Sequence, residues 1–135
     1  MTKIYKTREG EATALDTKSQ LTTLGSETAP GPLLVPAGVK QISRIIIGAM
    51  ENFAAATSFM SFIRLEGPGL PGGPETFSAK AGGAAVATGG NACDEAEIID
   101  VQIPVTPGNE ILIFGEMSGT DVGQVSFGVT LVFDK

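Results

Sequence analysis

Four carboxylates, Asp94, Glu95, Glu97 and Asp100, fall within a short stretch at a loop-to-strand junction. Carboxylate oxygens are ligands for hard cations, so this run is a candidate calcium site. Its spacing fits no EF-hand loop, and solvated acidic surface explains it equally simply. Two carboxylates at the right separation could also hydrolyse a glycosidic bond. Such enzymes usually hold sugars on Trp and Tyr, and this chain has no Trp and one Tyr. Cys93 is the single cysteine. It has no histidine to serve as its base, and acidic neighbours disfavour its thiolate, so it reads as a small packed residue. Gly67-Pro68-Gly69-Leu70-Pro71-Gly72 matches G-x-G-x-x-G. A dinucleotide cradle needs free N–H groups at a helix N-terminus, whereas here two prolines remove donors and no helical pattern follows. No cofactor and no catalytic residue is therefore expected.

Composition narrows the field further. The chain has 135 residues, enough for one domain with a proper core. It contains no histidine, which excludes Ser-His-Asp triads and histidine-ligated metals. One cysteine cannot close a disulfide within the chain. Net charge is −6, so general nucleic-acid affinity is not expected. The charge is uneven. Residues 1–67 carry seven Lys/Arg against six Asp/Glu, and residues 68–135 carry two against nine. The beginning, Met1-Thr2-Lys3-Ile4-Tyr5-Lys6, has no apolar core of the signal-peptide kind. The longest apolar run, 45–50, is far too short for a membrane span. A cytoplasmic or virion location is the expectation.

The elements that must position these residues follow period two. Val125, Phe127, Val129, Leu131 and Phe133 alternate with Gln124, Ser126, Gly128 and Thr130, the pattern of a half-buried strand. Ile99, Val101, Ile103 and Val105 repeat it, and Ile111, Ile113 and Met117 do so less cleanly. Thr106-Pro107-Gly108-Asn109 favours a type II turn, because Pro presets φ and Gly supplies positive φ. Residues 97–133 read as a three-stranded antiparallel meander. Val39–Met50 and Ser58–Leu65 are further strands, apolar on both faces over much of their length. A helical turn through Glu51–Met60 competes, because Ala54, Ala55 and Ala56 favour helix. Shorter strands are expected at Thr76–Ala79 and Ala84–Thr88, and at Lys3–Thr7 and Ala12–Leu15. The 67–74 stretch is a Pro/Gly loop.

These signals predict an all-β antiparallel β-sandwich, a jelly roll of about eight to ten short strands. Residues 1–32 read as an N-terminal arm and linker, and 33–135 as the sandwich. Strands apolar on both faces must be covered on both sides. With only 18% charged residues, below the ordinary quarter, the second cover is expected to be further copies of the chain. Ile46, Phe59, Met60 and Phe62 are the candidate interface residues.

Leu34-Val35-Pro36-Ala37-Gly38-Val39-Lys40-Gln41-Ile42 leading into an Ile-rich strand, and Ile103-Pro104-Val105-Thr106-Pro107-Gly108-Asn109 leading toward Val125–Phe133, give the chain a familiar style. It resembles the single jelly-roll coat and decoration proteins of icosahedral viruses of bacteria and archaea over residues 33–133. The resemblance rests on no diagnostic motif and carries over no functional residue. It implies a virion subunit that forms trimers or larger rings, beside other capsid proteins, with its N-terminal arm bridging neighbours. The alternative from the residues themselves is a carbohydrate- or calcium-binding sandwich using the 67–74 and 89–97 loops.

Overall fold

A computed structural model describes residues 2–12, 17–22, 31–53, 59–82, 91–93, 97–119 and 123–135. Every regular element among them is a strand: β1 (Lys3–Ala12), β2 (Ser19–Gln20), β3 (Leu33–Leu34), β4 (Gln41–Phe53), β5 (Phe59–Glu66), β6 (Glu75–Gly82), β7 (Asn91–Cys93), β8 (Glu97–Pro104), β9 (Glu110–Gly119) and β10 (Gly123–Asp134). All pairings are antiparallel. The first sheet runs β1-β10-β4, with β7 and β8 both on the far edge of β4. The second runs β6-β5-β9, with β2 and β3 both on the far edge of β9.

Counted as single interrupted strands, β2 with β3 and β7 with β8 complete two sheets, each four strands wide. Every connection then changes sheet except the β5–β6 hairpin. This double Greek key is a jelly roll. Its core lies between the inward faces. Ile42, Ile45, Ile47, Val129, Leu131 and Phe133 of the first sheet are buried with Ile63, Leu65, Ile111, Ile113 and Met117 of the second.

The alternation predicted for 124–133 appears as β10, whose odd-numbered side chains from Val125 to Phe133 are buried. The type II turn is present: Gly108 has φ +81°, and Asn109 N–H donates to Thr106 O at 3.3 Å. The meander is not. Strand β8 pairs with β4 and β10 lies beside β4, but β9 between them belongs to the other sheet. A tight turn fixes the reversal of the chain, and alternation fixes which side chains share a face. Neither says which sheet receives the next strand. Here the turn is drawn over by Val35, whose N–H donates to Asn109 O and whose carbonyl accepts from Gly108 N–H.

Two further expectations change. The strand expected at Lys3–Thr7 runs on to Ala12 as β1, paired along its whole length with β10, because its backbone completes the edge of the first sheet whatever its charged side chains do; residues 13–15 of the strand expected at Ala12–Leu15 lie outside the described residues. The helical turn is replaced where described: Glu51 to Phe53 extend β4, and Phe59 and Met60 begin β5. Residues 54–58, and the expected strand at Ala84–Thr88, lie outside the described residues. No helix among the described residues is long and apolar enough to cross a membrane.

Candidate interaction surfaces

The outer face of the first sheet is ordered by strand register into rows. One row is Tyr5, Val132, Arg44 and Asp100; the next is Thr7, Thr130, Ile46 and Ile98. Tyr5 is 61% exposed and Ile98 58% exposed, at opposite edges of the sheet. Between them Val132 is buried and Ile46 half-buried. Thr7 and Thr130 share a hydroxyl–hydroxyl bond of 2.8 Å.

At one end of these rows stands Asp134. Its Oδ1 accepts from Lys3 Nζ at 2.7 Å and from Ser43 Oγ at 2.9 Å, and its Oδ2 accepts from Gln41 Nε2 at 3.3 Å. The hydrogen bond from the Lys3 ammonium, helped by those from Ser43 and Gln41, holds its carboxyl below the ordinary Asp value against the opposing effect of burial. Ser43 reaches it because of a β-bulge. Val132 pairs with Arg44 and Phe133 with Ile42, so Ser43 is the extra residue on β4. Lys3, Tyr5, Ser43, Arg44, Gln102 and Asp134 are among the residues around an open groove of about 530 Å³ on this face.

The outer face of the second sheet is covered differently. Phe114 lies under Lys18, whose ammonium sits 4.6 Å from the ring centroid. Lys18 also bridges to Glu66 at 3.0 Å, and Arg64 Nε contacts the same carboxylate oxygen. Arg64 foremost, then Lys18, lowers the Glu66 pKa. Long cationic stems thus shield one outward aromatic with the chain's own atoms. Phe62, between Glu116 of β9 and Ser78 of β6, is half-buried.

Of the predicted carboxylates, the two described, Glu97 and Asp100, are not brought together. Strand β8 alternates strictly, and Glu97 and Asp100 are three residues apart, so they stand on opposite faces. Asp100 instead accepts from Arg44 Nε at 2.8 Å. Asp94 and Glu95 lie outside the described residues. No group of metal-ligating side chains is found among the described residues. Cys93 ends β7, where its backbone pairs with β4 through Met50. Phe59 and Met60 are placed by backbone only, on β5 beside β9. Ile46 lies on the outer face, with Ile98 its direct partner.

The 67–74 loop is pinned rather than open. Gly69 N–H donates to Glu110 O at 2.8 Å, Thr106 N–H donates to Gly69 O at 3.0 Å, and Leu70 is buried. A Cβ on Gly69 would lie 2.8 Å from Ile111 Cγ1, so glycine there serves close packing and not a phosphate cradle. Sequence reasoning missed Tyr5, Ile98 and the Lys3–Asp134 pair. The sign available for Tyr5 was parity, since it lies between Lys3 and Thr7 of its own face; Ile98 has only Asp100 as a polar neighbour of that kind.

No family model matches the chain, and no curated protein matches it. Solved structures do. The T13 viral particle of infectious bursal disease virus matches at 16% identity and TM-score 0.40, over 97% of this chain and 31% of that one. The Gx strain of the same virus matches at 14% identity and TM-score 0.43, over 97% and 32%. The VP2 subviral particle matches at 16% identity and TM-score 0.38, over 95% and 32%. The chain spans about a third of the length of these neighbours. Likeness at this level carries no argument about function.

Proposed function

We propose that this chain is a non-enzymatic, self-assembling structural subunit, a jelly-roll building block of a shell such as a virus capsid, located in the virion. The observation that carries this reading is the outer face of the first sheet. It holds Tyr5 and Ile98 exposed at its two edges and Ile46 half-buried between them. A single chain leaves these side chains in water, and each 100 Å² of apolar surface removed from water by a second copy contributes about 2.5 kcal/mol. Partners in this reading are further copies and other shell proteins. Light scattering with negative-stain images of the purified protein tests it. Trimers, rings or particles are expected; a monomer at every concentration would overturn it.

The groove beside Asp134 favours one second reading, a carbohydrate-binding module. Tyr5 offers a ring face, and Arg44, Gln102 and Asp134 offer hydrogen-bonding groups on the same surface. This places a sugar on the sheet and not on the 67–74 loop. A glycan array read with wild type and Tyr5→Ala decides it: binding lost in the variant supports it, and no binding by wild type removes it.

A further inference from the structure

Strands β1 and β8 are the two outer edges of the first sheet, and among the described residues no strand pairs with the far side of either. Lys135 N–H donates to Thr2 O at 3.0 Å, so even-numbered residues at the start of β1 turn their backbone groups toward β10. Lys3 and Tyr5 therefore turn theirs to the open edge. Val105 N–H donates to Lys40 O. The β4–β8 ladder shifts register between Ile42 and Arg44, and beyond that shift the alternation carried from β1 through β10 and β4 turns Ile99 and Glu97 toward β4, and Ile98 and Asp100 to the open edge on the other side. Both edges present the same kind of template, with Tyr5 and Ile98 pointing to the same outer face.

We propose that β1 of one copy pairs antiparallel with β8 of the next, in the register that sets Lys3 opposite Asp100, so that the first sheet runs on from copy to copy. This rests on the self-assembly reading and adds an edge contact to the covering of the outer face. Within one chain β1, β10, β4 and β8 alternate in direction. The β8 of a following copy therefore arrives antiparallel to β1 with no inversion of the subunit. In this register Lys3 meets Asp100, Ile4 meets Ile99, Tyr5 meets Ile98 and Lys6 meets Glu97. Two pairs are of opposite charge and two are apolar, each on matching faces, and such cross-strand pairs stabilise sheets.

Neighbouring registers match less well. Sliding by two residues one way sets Lys3 against Ile98 and Ile4 against Glu97. Sliding the other way keeps Ile4 on Val101 and brings Arg8 to Glu97, but sets Tyr5 against Asp100 and Lys3 against Gln102. The side chains have room to meet. Lys3 is 44% exposed and Asp100 76% exposed while bonded to Asp134 and Arg44 respectively. The contact is heterologous, so it closes into rings or continues as an open array according to the angle between copies.

Cysteine crosslinking tests this in full-length protein with Cys93→Ser. Tyr5 and Ile98 of one chain are separated by three strand spacings, about 14 Å, too far for a disulfide, which needs Cα atoms within about 7 Å. A bond between Tyr5→Cys and Ile98→Cys therefore links two copies. Oxidation of the double variant is expected to give a ladder on non-reducing gels, and Thr7→Cys with Ile98→Cys is expected to give at least tenfold less. Lys6→Glu is expected to reduce the assembled mass, with Lys6→Glu/Glu97→Lys restoring it. Circular dichroism confirms that each variant folds. Particles in wild type with no ladder and no charge-swap rescue would overturn the edge pairing and leave self-assembly standing. A stronger ladder from the Thr7 variant would overturn the register. A wild-type monomer would overturn both the pairing and the reading beneath it.

Discussion

Lys3 and Asp134, 131 residues apart in the chain, are joined by a 2.7 Å hydrogen-bonded ion pair on the outer face of the first sheet. They are also direct partners in the β1–β10 register. The pair therefore closes β1 onto β10 at the level of side chains where the backbone ladder ends. The Asp134 side chain is 9% exposed and takes two further hydrogen bonds, from Ser43 and Gln41. It ties β1, β10 and the bulge of β4 at one point.

Stability should accordingly respond to acid at this site. The Asp134 carboxyl titrates below its ordinary value in the folded chain, chiefly because of Lys3. The depressed value means that the unfolded chain binds the proton more readily. The contribution is thus present above the unfolded Asp value of about 3.9 and is lost as pH falls through the folded value. Melting temperature measured from pH 2 to 7 should fall on the acid side for wild type. Asp134→Asn should melt lower at pH 7 and lose less between pH 5 and 2. Parallel curves for the two proteins would assign the acid limb to other carboxylates.

Gly115 should tolerate no side chain. It is buried on β9, and a Cβ there would lie 2.5 Å from Phe127 Cδ2 and 2.6 Å from Cε2, across the sandwich. Gly115→Ala is expected to cost about 1–3 kcal/mol by overpacking, read by urea denaturation. Phe127→Leu in the same chain should recover part of the loss, because it withdraws the ring atoms involved. Gly108 makes the useful contrast. Its φ is +81°, and a Cβ there would meet no atom within 4 Å, so Gly108→Ala should cost about 1 kcal/mol from backbone conformation alone.

How far the sequence was readable depends on what each signal measures. Period two exposed β8 and β10 with their inward faces, because burial acts on every second side chain. It could not place β9 in the opposite sheet, since sheet membership is set by contacts distant in sequence. Strand β1 is legible in its first half, Lys3–Thr7, but Arg8, Glu9 and Glu11 hide its continuation to Ala12, which its register with β10 shows. Strands β2 and β3 are two residues each, too short for any period. The surface was partly readable. The run of Ile45, Ile46 and Ile47 is apolar on both faces, so sequence alone does not say which of them points outward. Within the carboxylate run, an odd spacing on a strand sends Glu97 and Asp100 to opposite faces of β8, which nearness in sequence does not show.

Ile45 and Ile46 are adjacent in sequence and should behave as opposites. Ile45 is fully buried between the sheets, while Ile46 faces outward beside Thr130 and Ile98. Ile45→Ala is expected to cost about 2–5 kcal/mol in unfolding free energy. Ile46→Asp should stay folded by circular dichroism and shift native mass toward the monomer in light scattering. An Ile46→Asp protein with wild-type mass and melting would show that the outer face of the first sheet stays uncovered in solution.

Phe62 separates the two outer faces. It is half-buried directly opposite Glu116 on β9. Phe62→Asp would set two carboxylates face to face, and like charges in that position destabilise a sheet, whereas Phe62→Lys would set opposite charges there. The Asp variant should therefore be less stable than the Lys variant by about 1 kcal/mol, measured in urea at low salt and narrowing at high salt. Phe62→Lys should also keep the assembled mass of wild type, since Phe62 lies on the second sheet and the proposed contact continues the first. A monomeric, folded Phe62→Lys protein would instead place the contact between copies on the outer face of β5 and β9.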